Sequence, residues 1–211
     1  MEILICNHTI SLVGKMRDSF IFLAEGFEEI EAITVIDLLR RAGLPVKTVS
    51  ITTSLQVKGA HGVTMNADVI FDNTLFKDAE WLILPGGMPG ATNLYDFQPL
   101  QELLKIQAAS RDGRIAAICA SPAVVLGQLG LLEGEKATCY PGFEDLLKGA
   151  ERVDAPVVKS SRFLLGNGPA NAMLWSLAII SETLGSGEAF KVANGLLLYP
   201  RDTKEVDHFF G

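Results

Sequence analysis

The sequence predicts an α/β fold of the flavodoxin-like, doubly wound class, in which helices cover both faces of a mostly parallel sheet. Three observations lead to this prediction. Short, continuously apolar runs, typical of buried parallel strands, recur along the chain. Helical patterns separate these runs almost throughout. The chain has 211 residues, of which 48% are hydrophobic, and this suits one domain with a sizeable core. A functional site in such a fold is expected at the carboxyl ends of the strands.

The first part of the chain predicts a strand–helix–strand unit followed by a hairpin. Residues 19–24 form a strongly apolar run that predicts the first strand. A helix is predicted from about Ile30 to Arg41, because Gly43 is a typical residue just past a helix end. Residues 46–51 predict the second strand. Residues 55–65, with turn residues near their centre, predict a β-hairpin or an excursion from the main sheet.

The remaining sequence continues the same alternation of strands and helices. Further strands are predicted at residues 68–71, 81–84, 115–118, 136–139, 157–158 and 163–166, and further helices at residues 99–110, 122–126, 143–148, 167–184 and 188–194. Residues 1–15 precede the first convincing element, so they are predicted to be a peripheral extension. The single domain is then expected to span residues 16–211.

Cys119 is the first candidate functional residue. It lies between the apolar strand at residues 115–118 and the helix at residues 122–126, which predicts a sharp strand-to-helix turn like a nucleophile elbow, with a thiol as nucleophile. Ser121 is predicted to cap that helix, and Pro122 suits its first position. The helix N-terminus should favour the thiolate, so we expect Cys119 to titrate below the ordinary thiol pKa of about 8.5. The alternative is a buried and inert cysteine.

Glu31 is the second candidate. Steps of four and seven residues from it reach Val35 and Leu38, so Glu31 begins the apolar face of its helix. Burial there should raise the pKa of its carboxyl group. Glu28 and Glu29 lie in the same first turn, and favourable interaction with the helix dipole is sufficient to explain them.

The loop after the strand at residues 81–84 is the third candidate. Its glycines match neither the dinucleotide-binding fingerprint nor the P-loop. Gly86 and Gly87 would instead expose backbone N–H groups beside a strand end, and such groups can form an oxyanion hole. Glu31, this loop and Cys119 are all predicted at carboxyl ends of strands, which strengthens the functional interpretation of Cys119.

Charge and composition disfavour several kinds of partner. The formal net charge is −7, and no basic run is present, so nucleic acid is not expected as a partner. No apolar run has the roughly 20 residues of a membrane-spanning helix. Cys6, Cys119 and Cys139 show no metal-binding spacing, and their odd number favours a reducing, cytoplasmic setting. His61 lies in the predicted hairpin turn, where a lone histidine is usually solvated.

Four segments resemble the ThiJ/PfpI superfamily, in the DJ-one branch that includes YajL-like bacterial relatives. They read FLAEGFEEIEAITVIDLLRRAG, LILPGGMPGATNL, AAICASPAVVLG and ATCYPGFE, and the resemblance spans about residues 18–197. It implies a homodimeric flavodoxin-like protein without a cofactor or metal. Cys119 corresponds to the family's oxidation-sensitive nucleophile, and Glu31 to the protonated glutamate that hydrogen-bonds it. The N–H groups of Gly87 and Ala120 correspond to the oxyanion pocket.

Two further positions are informative within this resemblance. His61 falls where relatives place an arginine that reaches the partner subunit's site. Tyr140 stands where many relatives have a histidine, and peptidases and amidotransferases of the superfamily need that histidine as a general base. A conventional cysteine–histidine hydrolase is therefore disfavoured, and Tyr140 is expected beside the substrate. YajL-like relatives also lack the histidine.

The resemblance leaves two functional hypotheses. The leading one is an enzyme for reactive dicarbonyls or their protein adducts, acting as a glutathione-independent glyoxalase or a deglycase. Its partner would be a small aldehyde or a glycated protein. The alternative is an oxidative-stress sensor or redox-regulated chaperone that uses Cys119 without turnover. Both hypotheses use Cys119 and Glu31, so the sequence does not separate them.

Overall fold

A seven-stranded sheet runs through the centre of the protein, whose structure is a computed structural model that describes residues 16–198. The strands within that range are β1 (Ser19–Leu23), β2 (Val46–Ser50), β3 (Gln56–Lys58), β4 (Thr64–Asn66), β5 (Val69–Ile70), β6 (Trp81–Leu84), β7 (Arg114–Ile118), β8 (Lys136–Ala137), β9 (Glu151–Arg152), β10 (Val157–Ser160) and β11 (Phe163–Gly166). The order in the main sheet is β10–β11–β7–β6–β1–β2–β5.

The pairing of the strands confirms the predicted doubly wound class. Every neighbouring pair in the main sheet is parallel except β10 and β11, which are antiparallel at one edge. In register, Leu84 of β6 lies beside Ala117 of β7, and Ile118 lies beside Gly166 of β11. The carboxyl ends of three adjacent strands therefore meet at the same edge of the sheet, immediately before Cys119.

Helices cover both faces of this sheet. The helices are α1 (Glu29–Arg41), α2 (Gly90–Asp96), α3 (Gln98–Ala109), α4 (Ala172–Leu184) and α5 (Ser186–Gly195), with a π-helix at Pro122–Gly127 and 3₁₀ turns at Asn73–Phe76, Glu144–Leu146 and Pro169–Asn171. α1 and α4 pack together on one face, and α5 packs on α4. α3 and the π-helix cover the other face.

Alternation along the central strand divides the buried side chains into two layers. Ile21 and Leu23 of β1 point towards α1 and α4, whereas Phe20 and Phe22 point towards the opposite face. All four side chains are fully buried. This pattern of burial on both faces explains why β1 reads as one continuous apolar run rather than as an alternating one.

Several predicted elements differ in the structure. The hairpin at residues 55–65 is confirmed as β3 and β4. The strand predicted at residues 136–139 is reduced to β8, which pairs with β9 outside the main sheet. The helix predicted at residues 143–148 is a single 3₁₀ turn, and α2 was not predicted. Gly90 begins α2 where its small size allows contact with Gly26, and glycine is a weak helix signal.

Two further predictions concern membrane-spanning helices and the ends of the chain. None of its helices combines the length and apolar character needed to cross a bilayer. The predicted peripheral extension at residues 1–15, together with Cys6, lies outside the described residues, as do residues 199–211.

Candidate active site

Cys119 lies on a strained turn directly after β7. Its φ angle is +64°, which is uncommon for any residue other than glycine. The backbone is fixed on both sides, because the Cys119 N–H donates to the Gly166 carbonyl at 2.9 Å and the Cys119 carbonyl accepts from the Tyr140 N–H at 2.8 Å. The side chain is 8% exposed. This geometry agrees with the predicted nucleophile elbow.

The helix after the elbow differs from the prediction. Residues Pro122–Gly127 form a π-helix with all six residues buried. Ser121 does not cap it, because its backbone is already helical and its hydroxyl donates instead to the Pro85 carbonyl at 2.5 Å. Ser121 therefore ties the elbow to the loop after β6, a contact between distant segments that the local sequence does not reveal.

Glu31 lies in the first turn of α1 with its side chain completely buried. Its Oε2 accepts the Gly86 N–H at 2.7 Å, whereas Oε1 is buried without a hydrogen-bond partner among the described residues. Burial raises the pKa of Glu31 to about 7, although hydrogen bonds from Gly86 and Cys119 act in the opposite direction. As predicted, the carboxyl group has a raised pKa, and it can be present in both protonation states near neutral pH.

The glycines after β6 bring the backbone against the two side chains. A Cβ atom at Gly86 would lie 2.6 Å from the Cys119 Cβ and 2.8 Å from the Glu31 Oε2. Gly87 has a φ angle of +91°, a conformation that other residues rarely adopt. These two positions therefore require glycine, and the loop can contact the cysteine and the glutamate at the same time.

The N–H groups of this region have different partners. Those of Gly87 and Ala120 hydrogen-bond the Cys119 sulfur. That of Gly86 is occupied by Glu31, so the assignment of Gly86 to the oxyanion pocket is wrong. Its role is to hold the carboxyl group, because one N–H cannot serve both. The two donors left for a developing negative charge are those of Gly87 and Ala120.

The Cys119 thiol is not simply activated by its position. Burial raises its pKa, a charged Glu31 raises it further, and the N–H groups of Gly87 and Ala120 lower it. The predicted low pKa considered only the helix end and is wrong, because burial, the largest effect, raises the pKa whatever the charge of Glu31. The charge effect disappears when Glu31 is protonated, so the two groups titrate as a coupled pair.

Glu28, Glu29 and His61 form a second group at the start of α1. Glu28 caps the helix, since its Oε2 accepts the Glu31 N–H at 2.8 Å. Glu29 binds the His61 ring nitrogen Nδ1 at 2.9 Å and its backbone N–H at 2.7 Å. These contacts fix the end of α1 that carries Glu31, so both acidic residues do more than complement the helix dipole.

The same group has a distinctive electrostatic character. The hydrogen bond with Glu29 raises the pKa of the exposed His61 ring. Burial alone would raise the pKa of Glu29, but hydrogen bonds from His61 and Val63 lower it overall. One potential ligand atom from each of Glu28, Glu29 and His61 lies within 4.8 Å of the others, but the cap and the His61 hydrogen bonds already explain this spacing. His61 therefore borders the site through Glu29 and is not directed at Cys119.

Tyr140 supports the elbow mainly through its backbone. Its N–H holds the Cys119 carbonyl, its ring centroid is 6.5 Å from that of Phe143, and it is 44% exposed. His61 is the one histidine among residues 16–198. This histidine pairs with Glu29 and not with Cys119.

The sequence is similar to those of proteins in one known family. Residues 19–182 match the family described as "DJ-1/PfpI family". The chain is 33% identical to Protein dj-1beta of Drosophila melanogaster, with 86% of this chain and 97% of that protein covered. It is 37% identical to Glutathione-independent glyoxalase DJR-1.2 of Caenorhabditis elegans, with 78% of this chain and 86% of that protein covered.

Solved structures show the same architecture. The structure described as Toxoplasma gondii DJ-1, oxidized, has a TM-score of 0.81 and 37% identity, with 87% of this chain and 99% of that chain covered. Protein DJ-1 homolog B of Arabidopsis thaliana is 37% identical over 92% of this chain. The chain spans 44% and 47% of the two Arabidopsis relatives, or about half of their length.

Proposed function

Since the chain belongs to the DJ-1/PfpI family, we propose that it is a cysteine-dependent enzyme that converts reactive dicarbonyls or their protein adducts. The activity would be that of a glutathione-independent glyoxalase or a protein deglycase. The C. elegans relative that carries the glyoxalase name is 37% identical to this chain over 166 residues. That similarity supports the substrate class, whereas the site supports the chemistry.

One observation carries the proposal: Cys119, Glu31 and two N–H donors converge on one point. The Glu31 carboxyl group and the N–H groups of Gly87 and Ala120 all lie close enough to the Cys119 sulfur to shift its pKa. A nucleophile, an acid–base group and an oxyanion pocket are the three components required for addition to a carbonyl group and proton transfer on the product.

In the first step, the Cys119 sulfur would bond to the aldehyde carbon of the dicarbonyl. The C=O π bond breaks, the oxygen receives the proton of the thiol, and a hemithioacetal results. Glu31 can relay that proton, because its raised pKa of about 7 makes both of its forms available near neutral pH. The N–H groups of Gly87 and Ala120 would bind the oxygen while it carries negative charge.

In the second step, the Glu31 carboxylate would remove the proton from the hemithioacetal carbon and return it to the neighbouring ketone carbon, while the hydroxyl proton passes to the ketone oxygen. The former aldehyde carbon becomes a thioester carbonyl, and the ketone becomes a secondary alcohol. Water then cleaves the thioester, which releases a 2-hydroxycarboxylate and restores the Cys119 thiol. No external oxidant or reductant is needed, because one carbon is oxidised while its neighbour is reduced.

The test is steady-state lactate formation from methylglyoxal by the purified full chain, without added thiol. We expect turnover in the wild type and in Cys139→Ser, and only background in Cys119→Ser. Cys139 is a matched control because it is similarly buried. Wild-type turnover no faster than that of Cys119→Ser would refute the enzyme. A glycated peptide as substrate would distinguish deglycase activity.

A second candidate is a redox sensor in which Cys119 itself is the reacting group. The similarity to the structure described as oxidized T. gondii DJ-1 favours this candidate. Two equivalents of a peroxide would convert the thiolate to sulfenate and then to sulfinate, each releasing one water or alcohol. Protonated Glu31 and the N–H groups of Gly87 and Ala120 would hydrogen-bond the new oxygens. Mass spectrometry after mild peroxide treatment would detect the sulfinate.

The proposal also includes assembly of the protein as a homodimer in the cytoplasm. Apolar side chains beside the site are exposed in the single chain, among them Ile30 and Ile33 of α1 and Val63 of the hairpin. Such a patch is common at subunit interfaces. Cys119 and Cys139 are both free thiols, which suits a reducing compartment. Light scattering of the full chain tests the dimer, and a monomer at micromolar concentration would contradict it.

A further inference from the structure

A cavity far from Cys119 lies at the opposite end of the strands of the main sheet. Its volume is about 610 Å³, which falls within the usual range for small-molecule sites. The amino-terminal residues of three adjacent strands line it: Trp81 of β6, Arg114 of β7 and Phe163 of β11. Because β7 runs from this cavity to the elbow, the two sites lie at opposite ends of the same strand.

The cavity gathers positive charge in an acidic protein. Five cations line it: Arg17, Arg111, Arg114, Lys159 and Arg162. The chain has a net charge of −7 and only 18 lysines and arginines, so this concentration is unusual. The sequence shows no basic run because the five residues come from three separate segments. The fold brings them together.

Not all of these charges are neutralised by carboxylates. Arg17 and Arg114 share Glu80, at 2.6 Å and 3.2 Å, and Lys159 pairs with Glu182. Arg162 instead donates to the backbone carbonyls of Ser110 and Gly113. The Arg111 guanidinium makes neither an ion pair nor a hydrogen bond with another described residue. Even with the exposed Asp112 included, the lining keeps an excess of positive charge.

The base of the cavity is apolar. Trp81, Phe163 and Leu164 are each buried to at least 97% of their surface, and the Arg114 guanidinium carbon lies 5.5 Å from the Trp81 ring centroid. Arginine combines well with both a planar ring and an oxyanion, since its guanidinium group can stack and donate paired hydrogen bonds. Trp81, Phe163 and Leu164 therefore close the base of the cavity with almost no surface left for a ligand, and the cationic donors around the rim are what a ligand would meet.

We propose that this cavity binds a small anion through a carboxylate or phosphate group. Arg111 and Arg162 would bind the oxyanion. The site is independent of the proposed chemistry at Cys119, because it uses none of the same residues.

The test follows the indole N–H signals of the full chain by nuclear magnetic resonance during titration with phenyl phosphate, benzoate, inorganic phosphate and phenol. We expect a saturable shift of Trp81, which lines the cavity, with phenyl phosphate or benzoate. The Trp175 signal should shift less, because this buried residue is not part of the lining. The anion that saturates at the lower concentration identifies the preferred group. Phenol, which carries no oxyanion, should bind more weakly than the three anions.

Matched charge variants make the test specific. Arg111→Gln should weaken binding about tenfold, as expected for loss of one hydrogen bond to a charged group, without affecting the fold. Lys77→Gln removes an exposed charge elsewhere and should leave the affinity unchanged. No saturable shift, equal binding of phenol and benzoate, or equal effects of the two variants would overturn the proposal.

Discussion

Cys119 and Cys139 are two buried thiols, 8% and 7% exposed, in very different surroundings. Burial raises the pKa of Cys139 to about 11, with Glu144 adding to the shift and Arg152 opposing it. Burial also raises the pKa of Cys119, but there the sulfur receives two N–H groups and faces Glu31. Cys119 alone lies on a strained backbone, with a φ angle of +64°.

This contrast shows that burial does not distinguish a reactive cysteine from an inert one. Both sites disfavour an isolated thiolate by desolvation. The difference is that Cys119 has a carboxyl group that can exchange a proton with it, as well as fixed donors for negative charge. Reactivity at Cys119 therefore depends on the pair that it forms with Glu31. Substitutions that change this pair, or the surroundings of the two thiols, should therefore change activity, oxidation, stability or the rate of alkylation.

Removing the carboxyl group should have the largest effect. Glu31→Gln keeps a donor of similar shape but cannot move a proton, and Glu31→Ala keeps neither property. If Cys119 acts as a nucleophile, both variants should lose about 10²–10⁴-fold of lactate-forming activity. Glu102→Gln, an exposed position on α3, is the control and should retain the wild-type rate.

The same variants sharpen the choice between enzyme and sensor. If Cys119 only senses oxidants, Glu31→Gln should still form sulfinate under mild peroxide, whereas Glu31→Ala should stop mainly at sulfenate. Mass spectrometry of the peptide containing Cys119 distinguishes these products. Identical products in the wild type and both variants would mean that Glu31 does not act on the sulfur.

Stability should depend on pH through Glu31. Its pKa is about 7 in the folded state and 4.5 in the reference state, so the folded protein binds more protons between these values. The stabilisation due to its proton is fully present below pH 4.5 and is lost as the pH rises through 7. As the pH rises from 4.5 to above 7, the free energy of unfolding of the wild type should therefore fall by up to about 3 kcal/mol relative to that of Glu31→Gln.

Urea unfolding between pH 5 and pH 8 measures this difference. Cys139→Ser should keep the wild-type pH profile, because the Cys139 pKa of about 11 lies above the range tested. Parallel profiles for the wild type and Glu31→Gln would contradict the raised pKa. They would also remove the main electrostatic distinction between the two cysteines.

Alkylation of Glu31→Gln should discriminate between the thiols at neutral pH. Burial raises the pKa of both thiols, and the charge of Glu31 raises that of Cys119 further. We therefore expect iodoacetamide to modify both thiols slowly in the wild type at pH 7, and Glu31→Gln to speed the modification of Cys119 but not that of Cys139, since the thiolate is the reacting form. An unchanged Cys119 rate in Glu31→Gln would show that desolvation dominates at both positions.

The sequence predicts much of this site because its local patterns are strong. Glu31 is identified by its position on the apolar side of α1, and Cys119 by the change from a strand to a helix. The positions of Gly87 and Ala120 follow from the family resemblance. The parallel strands are identified by continuous apolar runs, whose burial on both faces follows directly from the fold class.

The remaining features depend on contacts between segments that are distant in the sequence. Nothing local indicates that Ser121 donates to Pro85, or that Gly86 binds Glu31 rather than an oxyanion. The sequence does not show that Glu28 caps the helix, because the cap depends on where the backbone N–H of Glu31 lies. The cationic cavity likewise combines arginines from separate segments. Such contacts arise from packing, so residue patterns along the chain do not predict them.

Tyr140 links the segment of Cys139 to the turn at Cys119, and its substitution should have the smallest effect on activity and stability. It follows Cys139 directly and holds the Cys119 carbonyl at 2.8 Å through its backbone N–H. Tyr140→Phe keeps that N–H and the ring packing against Phe143. We therefore expect lactate formation within about twofold of wild type and a change in unfolding free energy within about 0.5 kcal/mol, as for surface substitutions away from special contacts. Tyr140→Pro, which lacks the N–H, should release the elbow and lower activity much further. If Tyr140→Phe alone reduced turnover a hundredfold without changing stability, the hydroxyl would take part in the chemistry, and Tyr140 would replace a general acid–base residue rather than support the backbone of Cys119.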